Sequence, residues 1–173
     1  MARAVVGLTM DRNGIPQSAE QRFALAEKIG PGGASRGNST EDVLIDCLTL
    51  TISAQQEQAA ETLKAVRMVH ERLGLHCVLG VSNISFGLPE RKHVTVSFLT
   101  QAMCCGLDLP IVNPNQKEIM DAVFAFRALS GEDAQCGAYI GRFADRSQEK
   151  EVPRASSEMT VETAVLKGLK QEQ

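Results

Sequence analysis

Apolar residues fall into four short, nearly continuous runs, at 4–10 (AVVGLTM), 43–50 (VLIDCLTL), 76–82 (HCVLGVS) and 108–114 (DLPIVNP). Unbroken runs of that length fit strands covered on both faces. Behind each run the periodicity changes to that of a helix. Ser18 and Gln21 make a capping box ahead of Leu25 and Ile29, and Ser53 with Gln56 repeats it ahead of Ala59, Leu63 and Val66. Val94, Phe98 and Ala102 line a third helical face, with Gly106 as its stop. Asn115 and Glu118 open a fourth, carrying Ile119, Val123 and Phe126. Strands alternating with capped helices are βαβ units, which predicts an α/β fold with a parallel sheet.

Outside these units the pattern weakens. The stretch 30–40 (GPGGASRGNST) reads as a loop between the first helix and second strand. A βα domain is therefore expected over 1–130, a linker over 131–159, and the opening of a further helix over 160–173. Composition narrows the function. With 173 residues, a net charge of −3 and no basic cluster interleaved with aromatics, a nucleic-acid surface is not expected. No apolar window reaches bilayer length, and the first residues lack a secretory core, so the expectation is a cytoplasmic protein with no membrane partner. Five cysteines, Cys47, Cys77, Cys104, Cys105 and Cys136, form an odd set without CxxC spacing and read as reduced thiols rather than metal ligands.

The candidate chemistry lies at the strand ends. Thr9, Met10 and Asp11 follow the first strand, Asp46 ends the second, Ser82 and Asn83 the third, and Asn113 the fourth. Parallel α/β proteins bind ligands along this edge. Two carboxylates, two amides and several hydroxyls suit a polar small molecule. No Ser-His-Asp set, Walker loop, GxGxxG or HExxH is present. His70, inside a helix, and His93, at a helix start, read as surface residues.

The stretch 80–91 (GVSNISFGLPER), followed by FLTQAMCCGLDLPIVNP and preceded by MDRNGIP and LIDCLTLTIS, resembles the pterin-binding domain of methyltetrahydrofolate-dependent corrinoid methyltransferases. That family includes the folate module of cobalamin-dependent methionine synthase and the methyltransferase serving the corrinoid iron–sulfur protein. The resemblance covers about Ala4 to Leu129. It implies a TIM barrel of the pterin-binding type, 5-methyltetrahydrofolate as substrate, and a cobalamin or other corrinoid carried by another protein or domain. A TIM barrel has eight βα units in typically ~250 residues; four are found, matching the C-terminal half. The implied chain is a partial or split subunit, completed by a complementary half-barrel chain or by self-association.

Within that resemblance the residues take specific roles. Asp46 would accept the pterin's 2-amino group and adjacent ring N–H, or else serve as a loop carboxylate. Asn83 would address N5, the nitrogen that carries the methyl group, or else tolerate a turn. Gly80 and Ser82 are small enough for a planar ring to lie against the backbone. Arg91 would return to the folate or stay a solvated helix-start residue, and Asn113 is either a rim contact or an Asn-Pro turn. Two other readings stand beside methyl transfer. One is a non-catalytic fragment with residual or no folate binding. The other is a dihydropteroate-synthase-like enzyme, for which the expected late-strand Lys and Arg-His are missing.

Overall fold

Val43, Ile45 and Cys47 are buried while Leu44 and Asp46 between them are only half-buried, so β2 has two unlike faces. The computed structural model of the chain describes residues 4–34 and 40–148. Four strands, β1 (Val5–Leu8), β2 (Val43–Asp46), β3 (His76–Gly80) and β4 (Leu107–Ile111), form one sheet in the order β1-β2-β3-β4. All three pairings are parallel. The connecting helices are α1 (Ala19–Ala34), α2 (Gln58–Met68), α3 (Arg91–Cys104) and α4 (Lys117–Leu129). The parallel sheet with alternating helices is as the alternation of runs and periods predicts, and it is consistent with the partial TIM-barrel-like α/β fold that the resemblance implies.

Register assigns the faces. Gly7, Ile45, Cys77 and Leu107 stand in one row across the sheet. The helices pack on that side: a Cβ on Gly7 would run into Ile29 of α1, and the Cys77 thiol donates to the Val66 carbonyl of α2 at 3.7 Å. Ile45, Leu79, Val66, Leu99 and Ile119 are fully buried in the resulting core. The next row belongs to the opposite face and runs Leu8, Asp46, Val78, Leu109. Val6, Leu44 and His76 lie one step below it, and Gly80 pairs with Ile111 one step above. This inner face is apolar and open, with Val6, Leu8 and Leu109 nearly half exposed and Ile111 61% exposed.

Helix boundaries follow local chemistry. Ser18 Oγ accepts the Gln21 amide at 3.4 Å, as the capping box requires, and Glu61 of α2 takes the Ala19 amide at 2.6 Å. The α3 helix ends where expected, at a Gly106 with φ +96°, a conformation L side chains rarely adopt. The second capping box does not form, and α2 begins at Gln58. Ser53 Oγ is spent on the Phe86 carbonyl at 2.8 Å, so it caps nothing. Asn115 likewise starts no helix; its amide donates to Asn113 Oδ1 at 3.0 Å and α4 opens at Lys117.

The chain divides into two compact units, the first running to Cys136 and the second from Gly137. Within the linker expected over 131–159, Gly137–Gln148 form a helix, α5, and residues 149–159 lie outside the described residues. Tyr139 and Phe143, one turn apart, bring their ring centroids to 4.5 Å and supply the local contact that the glycine-rich sequence obscures. The helix expected over 160–173 lies outside the described residues. Among those described, no helix is long and apolar enough to cross a membrane.

Candidate functional site

Asp46 closes β2 on the inner face. Its Oδ1 accepts the Leu48 amide at 2.8 Å, and its carbonyl accepts both the amide and the hydroxyl of Thr9, at 3.0 and 3.1 Å. The strand end is thereby sewn to the end of β1, while the turn takes up Oδ1 alone. Burial raises the carboxyl's pKa above the ordinary aspartate value, and the Leu48 hydrogen bond opposes that shift. A carboxylate so placed is short of hydrogen-bond donors, and a ligand that brought them would relieve the cost.

Leu48 has φ +63°, in the left-handed region that costs a branched side chain on the order of 1–3 kcal/mol. Arg22 is the residue behind it. Fully buried on α1, it donates from Nη1 to the carbonyls of Cys47 and Leu48, each at 3.2 Å. Nη1 also reaches Thr62 Oγ1 at 2.8 Å, Nη2 reaches Gln58 Oε1 at 2.5 Å, and Nε reaches the Pro16 carbonyl at 2.9 Å. Gln58 passes the network on to the Gln17 carbonyl at 3.1 Å. Burial lowers the guanidinium's pKa, yet an arginine remains charged. The sequence reading missed Arg22, although the signal exists. It follows Ala19 by three residues and precedes Ala26 by four, on the face that α1 buries.

The third strand end is shaped by the segment that resembles the pterin-binding domain. After Gly80 the chain makes a 3-10 turn over Val81–Ser85. Asn83 folds back, so that a Cβ built on Gly80 would stand 3.3 Å from its Nδ2. Gly80 is therefore small to admit the Asn83 amide. Ser82 contributes through its backbone, its carbonyl accepting Arg91 Nη2 at 2.9 Å and Ser85 Oγ at 3.2 Å. Arg91 also donates from Nε to Ser85 Oγ at 3.1 Å and lies over the Phe86 ring, 5.2 Å from its centroid. It returns to the loop that presents Asn83. The neighbouring loop adds Thr51, whose hydroxyl donates to the Phe86 carbonyl at 2.7 Å.

Asp46 and Gly80 thus share one face of adjacent strands, Gly80 one step nearer the rim, with the Asn83 amide above it. Asn113 stands apart in use: Oδ1 is occupied by the turn into α4. Cys47 lies on the helix-facing side; its contact with the Cys77 thiol and its burial push its pKa far up, which leaves it a neutral, inert thiol. Two clefts of about 340 and 350 Å³ lie between α2 and α3, and neither is lined by Asp46 or Asn83.

Comparison with known proteins bears on the same residues. Residues 32–113 match the pterin binding enzyme family. The chain is 29% identical over 140 residues to a methylcorrinoid:tetrahydrofolate methyltransferase of Eubacterium limosum, covering 80% of this chain and 52% of that protein. It is 38% identical over 121 residues to a methionine synthase of Mycobacterium leprae (strain TN), covering 65% of this chain and 10% of that protein. A methionine synthase of Mycobacterium tuberculosis is 37% identical over the same length. The chain thus spans about half the length of the first relative and a tenth of the synthases. The matches and the parallel sheet agree: residues 32–113 are similar to a pterin-binding domain, and the chain is similar to the methyltransferase and the methionine synthases over part of their length.

Proposed function

We propose that the inner-face strand ends bind the pterin ring of a methylated tetrahydrofolate, and that the chain takes part in moving the methyl group between N5 and a corrinoid on another protein or domain. The observation that carries this reading is the Asp46 carboxylate, with one oxygen fixed by the Leu48 amide and its charge disfavoured by burial. A pterin offers two parallel donors, its 2-amino group and ring N–H, which match a carboxylate edge. The name of the Eubacterium relative supports the substrate class and the corrinoid partner.

The second role falls to Asn83. When the methyl leaves N5 for Co(I), N5 must gain a proton; in the reverse direction it must lose one. A neutral amide held over Gly80 can accept a hydrogen bond from N5–H or turn its NH₂ toward the lone pair, and so follow N5 through either state. Arg91 fixes the loop that presents this amide and stays available to the glutamyl side of a folate. The chain orients the pterin and adjusts its protonation; the nucleophile is supplied by the corrinoid.

The exposed apolar inner face indicates what such a site lacks. Val6, Leu8, Leu109 and Ile111, each about half exposed, would contribute about 1 kcal/mol apiece on full burial. A complementary set of strands across that face, from another chain or a second copy, would bury them and close the site. The coverage of only 52% of the Eubacterium relative is in accord with this.

The test is the affinity for 5-methyltetrahydrofolate against pH. Because folding raises the Asp46 pKa, the protonated carboxyl favours the folded state, and that contribution is lost as pH rises through the raised value. The ligand selects the ionised form, so its affinity is expected to weaken as pH falls through a value above the ordinary aspartate range, with proton release on binding. Calorimetry in two buffers of different ionisation enthalpy reads both. An affinity flat from pH 7 down to the ordinary aspartate range would remove Asp46 from the site.

A further inference from the structure

We infer that Arg22 is a positioning residue for the pterin-binding carboxylate, acting through the strained turn at Leu48; this rests on the site proposed above. The chain of contacts is continuous. Arg22 holds the Cys47 and Leu48 carbonyls, Leu48 adopts φ +63°, and the Leu48 amide that this conformation presents holds Asp46 Oδ1. A leucine in that region persists only where its surroundings over-determine it. Thr62 adds to the clamp, its Oγ1 lying 3.2 Å from the same Leu48 carbonyl. The remaining guanidinium contacts reach Pro16, between β1 and α1, and Gln58, the first residue of α2. One buried cation therefore ties the loop between β1 and α1 and the start of α2 to the turn that follows Asp46.

A core arginine kept only for packing would be an expensive choice, because burial disfavours its charge and every N–H donor must find an acceptor. Its planar fork explains the choice of residue. Carbonyls from two consecutive residues, a hydroxyl and an amide oxygen lie in different directions, and a lysine nitrogen cannot reach them all. The clamp takes the turn's orphan carbonyls, and the turn in exchange offers its amide to the carboxylate.

The experiment combines a weakened clamp with a turn that no longer needs one. Arg22→Lys keeps the charge and loses the fork; Thr62→Val is a milder lesion of the same clamp, for use if Arg22→Lys fails to fold. In a folded clamp variant of the full chain, hydrogen exchange at the Leu48 amide should accelerate at least about tenfold relative to core amides of β3, and 5-methyltetrahydrofolate should bind at least about tenfold more weakly. Adding Leu48→Gly makes the left-handed turn free of Cβ strain, and should restore both readouts to within about threefold of the wild type. Two results overturn the inference: a folded Arg22→Lys or Thr62→Val protein with unchanged Leu48 exchange, or a loss that Leu48→Gly leaves in place. A wild type that binds no pterin would sink the proposed ligand, while the exchange data would still decide whether Arg22 controls the turn.

Discussion

Asp46→Asn should abolish most pterin binding while leaving the fold as stable as before, or more so. The asparagine retains Oδ1 for the Leu48 amide, which the structure places 2.8 Å away, so the turn survives. The other carboxylate oxygen becomes an NH₂ that faces the ligand's own donors. Removing one partner from a buried, charge-assisted pair costs about 2–5 kcal/mol, or roughly 30-fold to several-thousand-fold in Kd. Folding runs the other way at neutral pH. Burial disfavours the Asp46 charge, and the neutral amide removes that penalty. Titration calorimetry with 5-methyltetrahydrofolate and urea unfolding separate the two effects. A variant that unfolds more easily and binds normally would make Asp46 a structural carboxylate.

Asn83→Ala should lower the rate of methyl transfer by about 10²–10⁴-fold, with a much smaller effect on pterin binding. The asymmetry follows from what the amide does. In the proposed role it would respond to the proton that N5 gains or loses, and an interaction that strengthens only in the transition state acts on the chemical step. Asn83 is exposed and its backbone carbonyl, which accepts the Phe86 amide at 3.2 Å, is kept in the variant. The turn should therefore stand, with stability changed by about 0.5 kcal/mol or less. Single-turnover transfer to or from a corrinoid protein, with any complementary half-barrel chain added, is the measurement. Equal losses in binding and rate would reduce Asn83 to a holding contact.

The place of these two residues at the strand ends was legible in the sequence, and the reason is geometric. Parallel strands end at one rim, so the last polar residue of each apolar run points to that rim without any knowledge of its neighbours. The same logic placed all four strands and the Gly106 stop. It failed where a side chain's partner is distant in sequence. Ser53 has the spacing of a helix cap, but the Phe86 carbonyl, on the next loop, claims its hydroxyl. Leu48 carries no glycine or asparagine signal for a left-handed turn; its carbonyl is held by Arg22, which comes from α1, far away in sequence. Arg91 and Ser82 were placed in the right loop, but their observed bonds are to each other and to Ser85. Within the linker expected over 131–159, α5 carries a local contact, the Tyr139–Phe143 pair.

Gly80 shows the same limit at a finer scale. Its smallness was visible, and a planar ligand lying on it was the natural reason. In the structure the Asn83 amide lies over it. The two explanations meet at one place, because the amide on Gly80 and the carboxylate on the neighbouring strand share a face.

The most direct test of that shared face is a titration of the folded, isotopically labelled chain with 5-methyltetrahydrofolate, followed by amide chemical shifts. The account predicts saturable shifts concentrated at Asp46, Leu48 and the 80–85 turn, with α4 and the residues of α2 and α3 that line the two clefts unmoved. Shifts confined to those α2 and α3 residues, or none at all in a folded chain, would contradict it.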